Sequence, residues 1–356
     1  TQVNMKHLQF SLIWFDSLGA KSTCTLVETP DTKILIDPGA AIMQPSFPAS
    51  IEKKIYWLEK ARKAIKKASK KAEVIIISHY HYDHFTDFNK TIYNGKLVLA
   101  KNPNEYINDS QRERAEDFYN NLCKAFGKTE LEDLLKEKEE KEYPNPLEEL
   151  PIAASMDYGD YNARKRELLK KGEKWFQARV KKWNSYQQIP ELKFEKCQVK
   201  FADSKQFKFG ETKIKFTKPL FHGIEFARVG WVISTVISYK NEKIIHTSDL
   251  QGPTIEDYAE WIIREDPNIL ILDGPSTYLI PYMLNLINLK RTIENAIKII
   301  EKTKRLQLII YDHHLLREPK YSERVRQVYE KAKETGKKVL TAAEYLGRKP
   351  AVLSPN

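Results

Sequence analysis

Three histidines and one aspartate lie within six residues of one another, in the segment HYHYDH that contains His79, His81, Asp83 and His84. Imidazole nitrogens and carboxylate oxygens are ligands that zinc and related divalent cations take from proteins. In an extended segment, residues two positions apart point the same way, so His79 and His81 can chelate one metal ion. A turn just beyond them would direct Asp83 and His84 towards a second ion. Because burying such groups without partners is costly, the cluster favours metal binding over packing.

Three further motifs place histidine or aspartate at the ends of predicted strands. His222 lies near the end of FTKPLFHG, Asp249 lies within HTSDLQG, and the pair His313 and His314 follows LIIYD. Seven of the eight histidines therefore fall in four short motifs. His246, three residues before Asp249, is predicted to belong to the core or to support the ligands.

Apolar patterning predicts the elements that position these motifs. The run VIIIS, residues 74–78, is continuously apolar, as in a strand buried on both faces, and it leads directly into HYHYDH. Ser50 is a candidate N-cap for a helix that ends near Ala72. Further elements are predicted as strands near 96–100 and over 268–273, helices over about 286–303 and 322–335, and a short terminal strand in KKVLTAAEYLG.

A polar, helix-favouring stretch over residues 102–190 interrupts the strand-rich pattern. Its segments NDSQRERAEDFYNNLCKAF and ARKRELLKKGEKWFQARVKKW have the spacing of amphipathic helices. The stretch is longer than a simple connection needs, which indicates a helical insertion. With the strand-rich and alternating segments on either side, it predicts an α/β protein, two β-sheets between helices, in a single domain over residues 1–356.

Composition predicts a soluble, cytoplasmic protein, because 41% of the 356 residues are hydrophobic and 30% are charged. No apolar run approaches the roughly 20 residues of a membrane helix, and the N-terminal stretch lacks signal-peptide features. Three isolated cysteines suggest neither a disulfide framework nor a CxxC zinc site. Abundant lysine and glutamate with scarce cysteine is a bias of hyperthermophile proteins.

The net charge of +11 is unevenly distributed. Residues 51–72 carry nine basic and two acidic side chains, a net charge of +7 on one predicted helix. Such a run either forms a solvated helix face or attracts a polyanion such as nucleic acid.

The HxHxDH pattern at the end of a buried strand resembles the signature of the metallo-β-lactamase superfamily. The resemblance extends over nearly the whole chain outside residues 102–190 and implies the αββα sandwich of that superfamily. In ILIDPG, Asp37 matches a residue that hydrogen-bonds a ligand histidine. The resemblance implies two metal ions, bridged by Asp249 and held by His79, His81, Asp83, His84, His222, Asp249 and His313.

The ending YDHHLLRE resembles the last motif of ribonuclease Z, a histidine followed four residues later by arginine. On that alignment His313 is the ligand and Arg317 contacts the substrate, while His314 donates a proton or meets the substrate. Two adjacent histidines nevertheless leave the choice of ligand open, and only the alternation of a strand favours His313. Asp273 matches an acidic position of nuclease members. The segment NDSQRERAEDF, residues 108–118, resembles a poorly characterised archaeal branch that implies no settled substrate.

The resemblance implies a hydrolase that uses hydroxide shared by two divalent metal ions, with Asp83, Asp249 and His314 as catalytic groups. Zinc suits imidazole and carboxylate ligands best, and iron and manganese are alternatives.

Three hypotheses remain for the function, and the sequence leaves the oligomeric state open. The first is a phosphodiesterase acting on nucleic acid or nucleotides, whose phosphate partners would be Arg112, Arg114, Arg179 and Arg317. The second is a hydrolase of small esters, lactones or thioesters, with residues 102–190 as a lid. The aromatic side chains offered for that lid, which could equally pack against the core, are Phe118, Phe126, Trp175 and Trp183. The third is a metal-binding protein without activity.

Overall fold

Two mixed β-sheets of seven strands each face one another in the computed structural model, which describes residues 3–354. The first sheet contains β1 (Gln9–Phe15), β2 (Thr23–Glu28), β3 (Lys33–Ile36), β4 (Val74–Ile77), β5 (Lys96–Ala100), β6 (Leu192–Lys193) and β7 (Cys197–Phe201), in the order β1–β2–β3–β4–β5–β7–β6. A separate two-stranded hairpin, which belongs to neither sheet, pairs β10 (Leu220–Phe221) with β11 (Trp231–Val232). The second sheet contains β8 (Gln206–Phe209), β9 (Thr212–Phe216), β12 (Thr235–Tyr239), β13 (Glu242–His246), β14 (Ile269–Asp273), β15 (Leu308–Asp312) and β16 (Lys338–Leu340), in the order β16–β15–β14–β13–β12–β9–β8.

Helices cover the outer faces of both sheets. They are α1 (Ile51–Lys71), α2 (Lys90–Tyr93), α3 (Asp109–Leu122), α4 (Pro151–Ser155), α5 (Asn162–Ser185), α6 (Glu256–Glu265), α7 (Leu286–Lys302), α8 (Tyr321–Arg324), α9 (Arg326–Thr335) and α10 (Ala342–Tyr345). Among the residues described, no helix combines the length and the apolarity needed to span a bilayer.

A core rich in isoleucine fills the space between the sheets. Alternation along β4 turns Ile76 towards the second sheet, whereas Ile75 and Ile77 pack under the outer helices. Along β15, Ile310 faces the first sheet and Ile309 packs under the helices on the other side. Both sheets are therefore buried on both faces, which explains why these strands read as continuous apolar runs.

This αββα arrangement confirms the fold class predicted from the sequence. Helix α1 begins as predicted, because the Ser50 side chain accepts a hydrogen bond from the backbone N–H of Lys53. Two details were wrong. The single helix predicted over 322–335 is divided at Val325 into α8 and α9. The terminal segment forms β16 and then α10, since Thr341 ends the strand by capping that helix.

Residues 102–190 contain α3, α4 and α5 with short 3-10 turns between them. Phe118 of α3 and Trp183 of α5 are fully buried against the outer side of the first sheet. Their assignment as an insertion within one domain stays a prediction.

Parallel strands place the functional motifs at the carboxyl edges of the two sheets. Strands β3, β4 and β5 run parallel in the first sheet, and β13, β14 and β15 run parallel in the second. The segments that follow β4, β13 and β15 carry three of the four histidine motifs. The fold therefore brings residues from distant parts of the sequence to comparable positions at the strand ends.

Candidate metal centre

Asp249 lies at the middle of the histidine motifs and presents one carboxylate oxygen to each side. Its Oδ2 lies 3.4 Å from Nε2 of His79 and 2.9 Å from Nε2 of His222. Its Oδ1 lies 3.0 Å from Nε2 of His84 and 3.1 Å from Nε2 of His313. The loops of the first sheet, the β10–β11 hairpin and the loops of the second sheet all contribute to this arrangement.

Two groups of potential metal ligands share this aspartate. The first cluster consists of His79, His81, His222 and Asp249, and the second cluster consists of Asp83, His84, Asp249 and His313. Within each cluster, one donor atom from every residue lies within 4.8 Å of the others. All seven side chains predicted as ligands thus meet around one carboxylate.

Several donor atoms of the clusters are buried without a hydrogen-bond partner. Among residues 3–354, these atoms are Nε2 of His79, Nε2 of His222 and Oδ1 of Asp249. They lie near one another, but none of their contacts is aligned as a hydrogen bond. Unpaired polar atoms in the interior cost about 1–3 kcal/mol each. Divalent cations would satisfy all of them, so the residues present fit a pair of metal ions.

On the side of the first cluster away from Asp249, two serine hydroxyl groups and the carboxylate of Asp37 form a hydrogen-bonded chain. This chain fixes the tautomer of His79. The hydroxyl of Ser248 donates to Ser78, and the hydroxyl of Ser78 donates in turn to Oδ2 of Asp37 at 2.7 Å. With its own proton committed, Ser78 accepts a hydrogen bond from Nδ1 of His79 at 2.9 Å. The lone pair of His79 therefore lies on Nε2, the nitrogen that faces Asp249. Asp37 also accepts a hydrogen bond from Nδ1 of His84 at 2.7 Å.

The outer side of the second cluster depends on Asp16, which no sequence motif had indicated. Oδ1 of Asp16 lies 2.6 Å from Nδ1 of His313, and its Oδ2 accepts a hydrogen bond from Nε of Arg317 at 2.8 Å. Asp16 follows β1 in the segment WFDSLG, where a single acidic residue after a strand gives no spacing signal. Only the contact between distant segments reveals its role.

Arg317 is placed to orient the second cluster. Besides Asp16, it donates from Nη1 to the hydroxyl of Tyr278 at 3.1 Å, and its Nη2 lies 3.5 Å from Oδ2 of Asp83. Its side chain is only 5% exposed. These contacts hold the arginine against the protein's own carboxylates, and the substrate contact predicted for it stays a prediction.

A local backbone conformation, rather than strand alternation, directs the rings of His313 and His314 to different partners. Strand β15 ends at Asp312, and His313 adopts a left-handed conformation with a φ of +62°. This conformation turns the ring of His313 towards Asp249 and leaves His314 with its Nδ1 2.8 Å from Oδ1 of Asp273. Strand alternation was therefore the wrong reason for choosing His313, although His313 is the histidine that approaches Asp249.

Four non-glycine residues in or beside the clusters have a left-handed backbone conformation. The φ values lie between +52° and +62°, a region that residues other than glycine seldom adopt, at Asp37, Ser248, Gln251 and His313. Conformations of this kind persist only where the surrounding structure enforces them, and they gather at functional sites. Gln251 also places its side-chain nitrogen 3.2 Å from Nδ1 of His222.

His246 does not join either cluster. It is buried, with its Nε2 2.9 Å from the carbonyl oxygen of Thr23 and its Nδ1 accepting from the N–H of Ser248. Both ring nitrogens are therefore used within the protein, in keeping with the core position predicted for this residue.

Burial and nearby carboxylates shift the pKa values of histidines in the two clusters in opposite directions. Burial and the neighbouring imidazole of His84 lower the pKa of His79 to about 4, and burial also lowers the pKa of His81. Burial acts to lower the pKa of His313 as well, but the carboxylates of Asp16 and Asp249 raise it well above its usual value. His79 and His81 thus favour the neutral imidazole, whose free lone pair is the form that binds a metal.

Gly39 allows the HYHYDH loop to lie directly against the loop that follows β3. A methyl group at this position would come within 2.3 Å of the backbone nitrogen of Phe85 and 2.6 Å of the carbonyl oxygen of Tyr82. Gly39→Ala is expected to displace the loop, lowering the free energy of unfolding by about 1–3 kcal/mol and reducing the bound metal per chain. Urea unfolding and metal analysis by mass spectrometry measure these effects.

Gly95→Ala is the control for this substitution. Gly95 has open space around it and a φ of +78°, so alanine there incurs only the left-handed backbone cost of about 1–2 kcal/mol. It should leave the metal content unchanged. Full metal content in Gly39→Ala would contradict the proposed dependence of the clusters on this close contact.

Comparison with known proteins finds sequence relatives that align with most of this chain. The sequence profile of the metallo-β-lactamase superfamily matches residues 19–149. A UPF0282 protein of Methanopyrus kandleri is 33% identical over 355 residues, covering 95% of this chain and 94% of that protein. A UPF0282 protein of Methanocaldococcus jannaschii is 32% identical, with coverages of 95% and 91%. Among solved structures, the metallo-β-lactamase fold protein YhfI from Bacillus subtilis aligns with 94% of this chain and 96% of its own, at 12% identity and a TM-score of 0.42.

The superfamily profile includes the HYHYDH motif, and the relatives align over almost the full length of both chains. The chain belongs to the UPF0282 family, and its residues 19–149 match the profile of the metallo-β-lactamase superfamily.

Proposed function

We propose that this protein is a metal-dependent hydrolase whose two ions share Asp249. The observation that carries the proposal is the position of this carboxylate, with one oxygen towards each cluster and buried nitrogen atoms of His79 and His222 left without partners beside it. When bound, two divalent cations supply a hydroxide at neutral pH and stabilise negative charge that develops on the substrate.

The protein's own side chains would orient the substrate at the exposed side of this centre. Asp83 is 14% exposed, whereas its neighbour His84 is fully buried, so Asp83 is the ligand nearer to solvent. His314 is held through Nδ1 by Asp273, which leaves Nε2 to exchange a hydrogen bond with the substrate or its leaving group. We assign His314 this role rather than that of a ligand.

A phosphodiester substrate is supported by the exposed face of α1. Within the described residues, none of its nine basic side chains has an acidic group within 4 Å. Lys54 is buried and donates to the carbonyl oxygens of Gln44 and Pro45. The other eight are Lys53, Lys60, Arg62, Lys63, Lys66, Lys67, Lys70 and Lys71. On α5, four of the nine basic side chains form ion pairs. Unneutralised cations along one helix complement a chain of phosphates.

The arginines predicted as phosphate partners do not provide this support. Arg112 is buried and donates to the backbone oxygens of Pro103 and Gln187, and Arg179 pairs with Asp109 at 2.7 Å. Arg114 lies 3.4 Å from the carbonyl oxygen of Tyr80, within the HYHYDH loop. These side chains hold the protein together, so the role of α1 replaces the one predicted for them.

The lid hypothesis is weakened because its aromatic side chains pack inside the protein. Phe118 and Trp183 are buried in the core, and Trp175 stacks on Trp231 with a centroid distance of 5.3 Å. Phe126 packs against the same core. The hypothesis of an inactive protein has equally little support, since no ligand of either cluster is missing.

Charge reversal on α1 tests the phosphodiester proposal. Replacing Lys63, Lys66, Lys67 and Lys70 by glutamate should weaken binding of a fluorescent single-stranded RNA and lower the salt slope by about 0.7 for each phosphate that is no longer neutralised. Fluorescence anisotropy in the presence of EDTA measures binding without hydrolysis. Hydrolysis of bis-p-nitrophenyl phosphate, compared with p-nitrophenyl acetate, then tests the reaction with metal restored.

A matched charge reversal on α5 is the control. Lys170, Lys174, Lys181 and Lys182 are exposed and undergo the same change of charge when replaced by glutamate. This variant should retain its RNA affinity. Equal losses in both variants, or hydrolysis of the acetate ester alone, would refute a phosphodiester substrate bound along α1.

A further inference from the structure

The first turn of α3 lies against both segments that carry the histidines of the first cluster. Gln111, only 1% exposed, accepts a hydrogen bond at Oε1 from the backbone N–H of Tyr80 at 2.9 Å. The nitrogen of the same amide donates to the carbonyl oxygen of Val229 at 2.7 Å. One buried side chain therefore joins the HYHYDH loop to the β10–β11 hairpin.

Both ends of this connection lie next to proposed ligands. Tyr80 stands between His79 and His81 in the sequence, so its backbone position sets the spacing of those two rings. On the other side, the residue after Val229 is Gly230, whose carbonyl oxygen accepts a hydrogen bond from the N–H of His222 at 3.0 Å. Gln111 thus holds the backbone beside all three histidines of the first cluster, and it makes no hydrogen bond to the residues specific to the second.

Two neighbours of Gln111 strengthen the same connection. Asn108 caps α3 by accepting from the N–H of Gln111 at 3.0 Å, and its side-chain nitrogen donates to the carbonyl oxygen of Arg228 at 3.1 Å. Gly230 has a φ of +108°, and a methyl group there would lie 3.0 Å from the side-chain nitrogen of Gln111. The hairpin therefore approaches the amide as closely as a glycine permits.

We infer that Gln111 is a positioning residue that sets the geometry of the first cluster by holding its two backbone segments at a fixed separation. The inference rests on the proposed function in that the first cluster binds metal. An amide is suited to this task, because it offers one acceptor to Tyr80 and one donor to Val229 at the same time. A hydrogen bond that supports a ligand without touching the ion typically changes metal affinity by about 10–100-fold.

Metal affinity measured for each cluster separately tests the inference without any hydrolysis assay. Asp83→Ala retains the first cluster, and His81→Ala retains the second. Adding Gln111→Met, which keeps the length of the side chain but removes both hydrogen bonds, should weaken zinc binding about 10–100-fold in the Asp83→Ala chain. In the His81→Ala chain the zinc affinity should stay unchanged. Competition with a chromophoric chelator gives the affinities, and the visible spectrum of bound cobalt reports the ligand geometry.

Two additional variants separate positioning from general loss of structure. Gln111→Glu keeps the shape of the side chain and the acceptor for Tyr80 but sets a carboxylate oxygen against the carbonyl oxygen of Val229, so it should weaken the first cluster at least as much as Gln111→Met. Gln177→Met makes the same change at an exposed position of α5 and should alter neither affinity. Equal weakening of both clusters, or no change in either with the protein folded, would overturn the role of Gln111. If zinc fails to bind even without changes at Gln111, the proposed metal centre fails instead.

Discussion

Asp249→Asn is expected to remove both metal ions and reduce hydrolysis to the background rate. The amide keeps the shape of the carboxylate but loses the negative charge that faces four imidazoles, at distances from 2.9 to 3.4 Å. Burial raises the pKa of Asp249, but the surrounding imidazoles, His84 and His313 foremost, hold it well below its usual value. The native side chain is therefore an anion. Its loss should weaken metal binding by more than the roughly 10–100-fold typical of a supporting hydrogen bond.

Metal analysis of the purified protein and hydrolysis of bis-p-nitrophenyl phosphate measure these effects. Asp87→Asn is the matched control, since Asp87 is exposed, lies three residues after His84 and contacts no donor of either cluster. It should keep both ions and full activity. An Asp249→Asn protein that retained two ions would show that the two clusters do not depend on a shared carboxylate.

Asp83→Ala is expected to remove one ion of the two while abolishing nearly all activity. Asp83 belongs only to the second cluster, so the first cluster keeps its full set of ligands. Because the proposed reaction would need an ion in each cluster, losing one should be almost as harmful as losing both. The double variant Asp83→Ala with His81→Ala should therefore lose little further activity, even though it loses the second ion.

Metal content and the specific rate, followed together across the two single variants and the double variant, measure this dependence. His7→Ala serves as a control because His7 is exposed and lies outside both clusters. Activity that survives in Asp83→Ala would have to come from another site, and losses that simply multiply in the double variant would contradict a shared reaction centre.

The grouping of potential metal ligands was predictable from local spacing, whereas the residues that orient them were not. HYHYDH concentrates four ligand side chains in one loop, and the apolar run before it predicts the strand that ends there. Asp16 and Ser248 lie far from that loop in sequence and have no pattern of their own, yet they fix His313 and His79. Contacts of this kind arise only when two sheets meet, and no periodicity within either segment encodes them.

The backbone conformation of one histidine and the burial of two arginines were not evident from the sequence. Alternation along a strand cannot describe His313, because its left-handed backbone lies just beyond the end of β15. Arg112 and Arg317 looked like groups for binding phosphate, since a sequence does not reveal whether an arginine is exposed. Both are buried and hydrogen-bonded to the protein itself. The sequence was most informative where one short segment contained all the partners.

Each cluster draws its donors from loops on opposite sides of the sandwich. His84 follows a strand of the first sheet, whereas Asp249 and His313 follow strands of the second. A bound ion would therefore link the two sheets reversibly, and the free energy of its binding would also stabilise this edge of the molecule. Metal supply would in this way affect the lifetime of the protein. Without ions, the contacts between the two sheets at this edge would be weaker, so local unfolding and cleavage by proteases would become easier.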